Sequence, residues 1–202
     1  MTPPATTSRL PANLDELLPD ARYSERHRLV VDAPIDRVWR ECLDVRPSDI
    51  AVLGPLLALR KLPAHLRRRG NEPVGRDGRS LLDVFEREGF VSLRRDERPH
   101  DGTASVVMGA AGRFWSPSSN QPIPFPDADA FVSFDEPGNA KTAFSLVATA
   151  RDGRTEVVTR TVVDGTDARA RRRFGAYWAL IRLPSGLIRR SWLAAIRRRA
   201  TA

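Results

Sequence analysis

Residues 142–164, TAFSLVATARDGRTEVVTRTVVD, decide the fold. Two runs rich in Val, Thr and Ala alternate in character, and Arg151-Asp152-Gly153-Arg154 joins them. An Asp-Gly pair between alternating runs is a strong hairpin signal, because the tight turn that matches strand twist needs positive φ at both central residues. Residues 142–151 and 155–164 therefore read as two antiparallel strands. The same period-two pattern extends upstream, where residues 81–87, 90–97, 105–115 and 130–135 read as four more strands. His100-Asp101-Gly102, residues 117–126 and Glu136-Pro137-Gly138-Asn139 supply the turns between them. Short connections make successive strands antiparallel neighbours, which predicts a meander.

Downstream the period changes to that of a helix. Thr166 is the expected N-cap, with Asp167 in the first turn. Ala170, Phe174, Tyr177, Trp178 and Ile181 share one face, and past Pro184 the series Ile188, Trp192, Ala195 and Ile196 forms another. One straight helix over residues 166–200 would be about 50 Å long, so a kink or break is expected at residues 183–186. Upstream of the strands, residues 26–32 read as a further strand that Ala33-Pro34 ends. A helix over 34–43 follows, with Ile35, Val38, Trp39 and Cys42 on one face. A second helix opens at Ser48-Asp49 and runs to Pro63, interrupted at Pro55, and a basic loop follows it. The Pro/Thr/Ala-rich start, with an apolar patch at Leu14, Leu17 and Leu18, reads as a loose arm. The organisation is thus an arm over 1–24 and a single domain over 25–202.

Composition narrows the function classes. The 202 residues carry 33 Lys+Arg against 25 Asp+Glu, a net charge of +8. With 41% hydrophobic and 29% charged residues the chain is globular rather than disordered. One cysteine, Cys42, excludes an internal disulfide framework and a multi-cysteine metal site, and His27, His65 and His100 lack ligand-like spacing. No apolar run reaches the length of a membrane span, and the first residues lack the apolar region of a signal peptide, so a soluble, cytoplasmic protein is expected. Residues 166–202 hold ten arginines and one acid, a net of +9, whereas the other 165 residues net −1. A neutral body with one positive pole argues against nucleic-acid binding and leaves the C-terminal segment as a candidate contact for an anionic membrane. Arg189, Arg190 and Arg197 to Arg199 beside Ile188, Trp192, Leu193 and Ile196 carry that expectation. A basic solvated face is its simpler alternative.

The order strand, two helices, six strands, long helix is the helix-grip layout, and particular stretches resemble the START-like superfamily, also called SRPBCC or polyketide-cyclase-like. They are VVDAPIDRVWREC (30–42), LLALRKLPAHL (56–66), GRFW (112–115), DEPGNAK (135–141), TRTVV (159–163) and RRFGAYWALIRLPSGLIRRSWLAAIRRRA (172–200). The resemblance covers about residues 14–200 and is to a largely uncharacterised bacterial branch. It implies an α+β fold in which a seven-stranded antiparallel sheet curls round the C-terminal helix, enclosing a cavity closed at one end by two short helices. Members of that branch often carry Thr-Glu-Thr-Arg on the last strand. Here Thr159-Arg160-Thr161-Val162 stands instead, so a Glu–Arg pair on one strand face is lost.

Such a cavity implies binding of a small hydrophobic or amphipathic ligand, lipid- or polyketide-like, without a cofactor or metal. The expected lining is Trp39, Phe90, Trp115, Phe144, Phe174, Tyr177 and Trp178, with Arg113 and Arg160 as polar members; the same aromatics also serve to fill a solid core. Arg113 stands out because small residues, Gly109 to Gly112, precede it and would let a ligand approach closely; a guanidinium there suits a carboxylate or phosphate. Glu86, Lys141 and Glu156 are further polar residues in or beside strands, where half the positions face water. No nucleophile motif or phosphate loop is present. The alternative function is a cyclase/aromatase-type enzyme using Tyr177 or Arg113 in the same pocket.

Overall fold

The computed structural model describes residues 14–19, 21–50, 52, 78–96, 99, 101–116 and 122–202. In chain order the elements are α1 (Leu14–Leu17), β1 (Tyr23–Val31), α2 (Ile35–Asp44), a 3-10 turn at Pro47–Asp49, α3 (Leu81–Arg87), β2 (Val91–Arg95), β3 (Thr103–Gly112), α4 (Ala128–Ser133), β4 (Ala140–Arg151), β5 (Arg154–Gly165) and α5 (Ala168–Thr201). The strands form one antiparallel sheet of order β1-β5-β4-β3-β2, so β1 and β2 are its edges. Asp152 and Gly153 take φ of 49° and 77°, the turn that the Asp-Gly pair demands. The class is α+β, with an antiparallel sheet against a long C-terminal helix, a layout compatible with a helix grip.

The sheet has five strands rather than seven. Residues 81–87, expected as a strand, form helix α3. Ser80 Oγ accepts from the Asp83 N–H at 3.2 Å while Asp83 Oδ2 accepts from the Ser80 N–H at 3.3 Å, a reciprocal cap that satisfies donors a strand would not have. Residues 130–135, also expected as a strand, lie in helix α4 and the turn after it. Asp127 caps α4 by accepting from the Ala130 N–H at 2.8 Å, and Phe131 buries itself completely on the sheet. Gly109 makes that possible, because a Cβ there would lie 2.6 Å from the Phe131 ring. Gly109 of β3 thus seats a helix side chain. Beyond Val52, the second helix expected up to Pro63 falls outside the described residues.

Helix α5 runs unbroken through Pro184, contrary to the expected break. The Leu180 carbonyl loses its partner at Pro184, but Leu180 is 75% exposed, where water can serve it. Strands β4 and β5 are 12 residues each, roughly 40 Å, and so offer a bed for most of the length of the helix. The N-cap is Asp167, one residue later than expected. Its carboxylate accepts from the N–H groups of Ala170 at 2.7 Å and Gly138 at 2.5 Å, and these bonds hold its pKa below the usual range.

Alternation divides the core between the two faces of the sheet. On the inner face, Phe144, Leu146, Met108 and Val157 pack against Trp39 of α2, Leu82 of α3 and Trp192 and Ile196 of α5. On the outer face, Val107, Ala143 and Val162 are covered by Phe131 and by Leu14, Leu17 and Leu18, so the described part of the arm is docked. A third cluster at the start of α5 joins Phe174 to Ala140 and Val163.

Candidate functional site

Strand β1 directs Tyr23, Glu25, His27, Leu29 and Val31 inward, since Tyr23 pairs with Val163, Glu25 with Thr161, His27 with Thr159 and Leu29 with Val157. Two of these five, Glu25 and His27, bring a carboxyl and an imidazole to a face that otherwise builds core. Glu25 Oε1 lies 2.8 Å from His27 Nε2, and the side chains are only 14% and 11% exposed. An ionised carboxylate only accepts, so a pairing of that kind has the imidazole donating from Nε2 and leaves Nδ1 for another partner.

Helix α5 closes over this pair. Gly186 faces it so closely that a Cβ would lie 2.8 Å from Glu25 Oε1, which accounts for a glycine in mid-helix despite its cost of about 1 kcal/mol there. One turn on, Arg189 donates from Nη1 to Thr159 Oγ1 at 2.8 Å, and its guanidinium carbon lies 5.2 Å from the Phe144 ring centre and 5.9 Å from that of Trp192. Burial pulls the Arg189 pKa down to about 10, against the opposing attraction of Glu25. It remains a cation at neutral pH. Glu25 Oε2, Thr161 Oγ1, which the register sets opposite Glu25, and Trp192 Nε1 are buried polar atoms on this face with no hydrogen-bond partner among the described residues. Buried polar atoms are nearly always paired, so three orphans on the face that also carries the half-buried Arg189 mark a polar interior that core packing does not explain.

Phe85, Phe90, Phe144 and Trp192 form the aromatic wall, with Phe85 5.0 Å from Phe144 and Phe90 5.6 Å from it. On the opposite side, where β1 is an unpaired edge, a groove of about 240 Å³ opens between sheet and helix. His27, Arg28 and Leu29 of β1 line it with Arg190, Leu193, Ala194 and Arg197 of α5. His27 therefore belongs both to the buried cluster and to the groove.

Of the residues expected to line a cavity, Phe90, Phe144 and Trp39 come together here; Trp39 is fully buried and its Nε1–H donates to the Asp96 carbonyl at 2.9 Å. Phe174, Tyr177, Trp178 and Trp115 gather in the third cluster, with Tyr23 5.1 Å from Phe174 and Trp115 6.5 Å from it. That cluster is 15 residues up α5 from Arg189, about 22 Å away. Arg113 is exposed just past the end of β3, and lies against Gly138 rather than inside the grip. Arg160 projects from the outer face with Val162, where it grips Asp15 through two bonds of 2.8 and 2.7 Å. Trp192, Leu193 and Ile196, expected to meet a bilayer, are buried in the core, and Arg199 is held by Glu41 at 2.6 Å and Asp49 at 3.0 Å.

Glu25, His27 and Arg189 are absent from the cavity lining expected from the sequence, where Arg189 is read only as part of a basic helix face. The signal is in β1 itself: YSERHRLVV alternates, and its inward positions are Tyr, Glu, His, Leu and Val. Starting that strand at residue 26 removes Glu25 from the pattern. Cys42 is buried and its pKa is pushed up by that burial and by Glu41, so it is unsuited to nucleophilic work. Among the described residues no group of three His, Cys, Asp or Glu is placed to hold a metal ion. Nor is any described helix long and apolar enough to cross a membrane.

No known family profile matches the chain, and a search of curated proteins returns no significant match. Among solved structures it is similar to a hypothetical protein of Helicobacter pylori, jhp0584, at 9% identity over 99% of each chain with a TM-score of 0.45. It is also similar to TTHA0849 of Thermus thermophilus, at 11% identity over 89% of this chain and 97% of that one, with a TM-score of 0.27. The protein Ara h 8.0201 gives 11% identity over 86% and 97%, with a TM-score of 0.25.

Proposed function

We propose that the chain binds a small amphipathic ligand with an anionic group, held between β1 and α5. What supports the reading is the groove of about 240 Å³, in which an apolar floor of Leu29, Leu193 and Ala194 meets Arg190, Arg197 and the His27 edge of the Glu25–Arg189 cluster. Few oriented polar groups in an apolar recess are the usual composition of a ligand site. The volume equals about eight waters, so the ligand is compact, or long with only its head inside. An anion fits better than a cation because three arginines and no acid line the groove.

Native mass spectrometry of the purified protein tests for a co-purifying mass. Thermal melting with octanoate, octyl phosphate and 1-octanol tests the charge preference, since a ligand of the native state raises stability with its concentration. Both anions should raise the melting temperature more than the alcohol does, and Arg190→Ala/Arg197→Ala should abolish the difference. No response to any of the three, with no co-purifying mass, overturns the reading.

A second reading is acid–base catalysis of the cyclase/aromatase kind in the same groove. The observation favouring it is the carboxylate-oriented imidazole of His27. His27→Gln should then abolish turnover of a cyclisable poly-β-ketone substrate while sparing binding; equal turnover removes it.

A further inference from the structure

Helix α5 presents a second surface on the side away from the sheet. Leu180, Leu183 and Leu187 are 75%, 78% and 51% exposed. Spaced three and four apart, they lie on one face, about 10 Å long. Such leucines in an unbroken row are a surface patch rather than scattered apolar residues. The row has basic ends: Arg169, Arg172 and Arg173 precede it, Arg190 and Arg197 follow it on the same face, and all five are exposed. The helix contains ten arginines and no acid.

We propose that this face docks the protein on an anionic lipid bilayer, with the leucines entering the interface and the arginines meeting headgroup phosphates. Charge selects this occupant. A second copy, stacked parallel or antiparallel, would set arginines against arginines at both ends of the contact. Residues 53–77 of the chain itself carry six basic residues, Arg60, Lys61, Arg67, Arg68, Arg69 and Arg76, against Glu72 and Asp77, and would bring net like charge to the same place. A bilayer of anionic lipid supplies both an apolar layer and a dense negative surface, the combination an interfacial helix needs. The face differs from that of Ile188, Trp192 and Ile196, whose burial removes them from any such contact. It shares Arg190 and Arg197 with the groove, but its leucines and Arg169, Arg172 and Arg173 lie outside that lining.

Co-sedimentation with phosphatidylcholine vesicles, with and without phosphatidylglycerol, tests it at ~0.05 M and ~0.5 M salt. Wild type should pellet only with the anionic vesicles and be released at high salt. Leu180→Gln/Leu183→Gln/Leu187→Gln keeps good helix formers and should lower partitioning at least tenfold, and Arg169→Gln/Arg172→Gln/Arg173→Gln on the order of a hundredfold. Both variants should melt within a few degrees of wild type, since the changed side chains face solvent. Wild type remaining in the supernatant overturns the proposal, and so does equal pelleting of the leucine variant. A wild-type dimer that the leucine variant dissolves assigns the face to a second copy. A large fall in the leucine variant's melting temperature assigns it to the chain's own covering segment. Either result also overturns bilayer docking.

Discussion

Arg160 and Arg189 reach strand β5 from opposite faces of the sheet, and the two have little else in common. Arg160, on the outer face, has the better ion-pair geometry, with two short bonds to Asp15 in an exposed setting. Arg189, on the inner face, makes no ion pair within 4 Å among the described residues, but it is half-buried, stacked on two aromatic rings and bonded to Thr159. Exposed pairs contribute roughly 0.2–1 kcal/mol because water screens them and side-chain entropy opposes them. A buried cation interacts strongly with everything near it. Tidy geometry therefore marks a fastener on the outer face, while a buried charge among unpaired polar atoms marks the site on the inner one.

Replacing each arginine by methionine should separate the two most clearly. Arg189→Met removes the donor to Thr159 Oγ1 and the cation that attracts Glu25, and should cost about 3 kcal/mol for the polar groups left unsatisfied, or roughly 6–12 °C in melting temperature. Arg160→Met should cost less than about 1 kcal/mol. Adding Glu25→Gln to Arg189→Met should restore more than about 1 kcal/mol, because the two groups interact and their effects do not add. If the two single variants melt alike by differential scanning calorimetry, the contrast between the faces is wrong.

Packing on the outer face predicts an intermediate effect. In Gly109→Ala the new Cβ would meet three atoms of the buried Phe131 ring at 2.6–2.9 Å. A rigid ring seated in a full site has no easy movement, so a loss of about 2 kcal/mol is expected. The groove lies on the other face, so the response to octanoate should be unchanged. A loss of that response would connect β3 to the ligand site after all.

Much of this architecture is legible in the chain. Asp152-Gly153 sets the β4–β5 turn, Pro34 with Ile35, Val38, Trp39 and Cys42 marks α2, and the aromatic spacing marks α5. Helices α3 and α4 were hidden because Val84, Phe85, Phe131 and Val132 are strand-favouring residues in segments of only seven and six. What makes them helical is a cap, Ser80 to Asp83 or Asp127 to Ala130, together with a face to bury. The aromatic wall of Phe90 and Phe144 was likewise readable from composition and strand placement. The polar cluster was not, because it joins β1 to a residue more than 160 positions later. Nothing local distinguishes Arg189 from the nine other arginines of its helix. Only the sheet register shows that Glu25 and His27 face it.

The smallest effect, a dependence on alkaline pH, follows from the sign of the shift at each arginine. For Arg189 the folded pKa is about 10, below its ordinary value, because burial penalises the charged form. Between those two values the unfolded chain binds more protons than the folded one, so this group adds stability as pH rises. The gain is absent at neutral pH, where both states are protonated, and reaches about 1 kcal/mol by roughly pH 10.5. For Arg160 the hydrogen bond to Asp15 raises the folded pKa instead. Its contribution is complete below the ordinary arginine value and constant over the same range. Urea melts of wild type, Arg189→Met and Arg160→Met at intervals from pH 8 to about 10.5 compare them directly. Wild type should gain on Arg189→Met as pH rises and keep a fixed distance from Arg160→Met. A constant gap to Arg189→Met would mean that its guanidinium keeps its proton and its water, which would remove the buried cation from the candidate site.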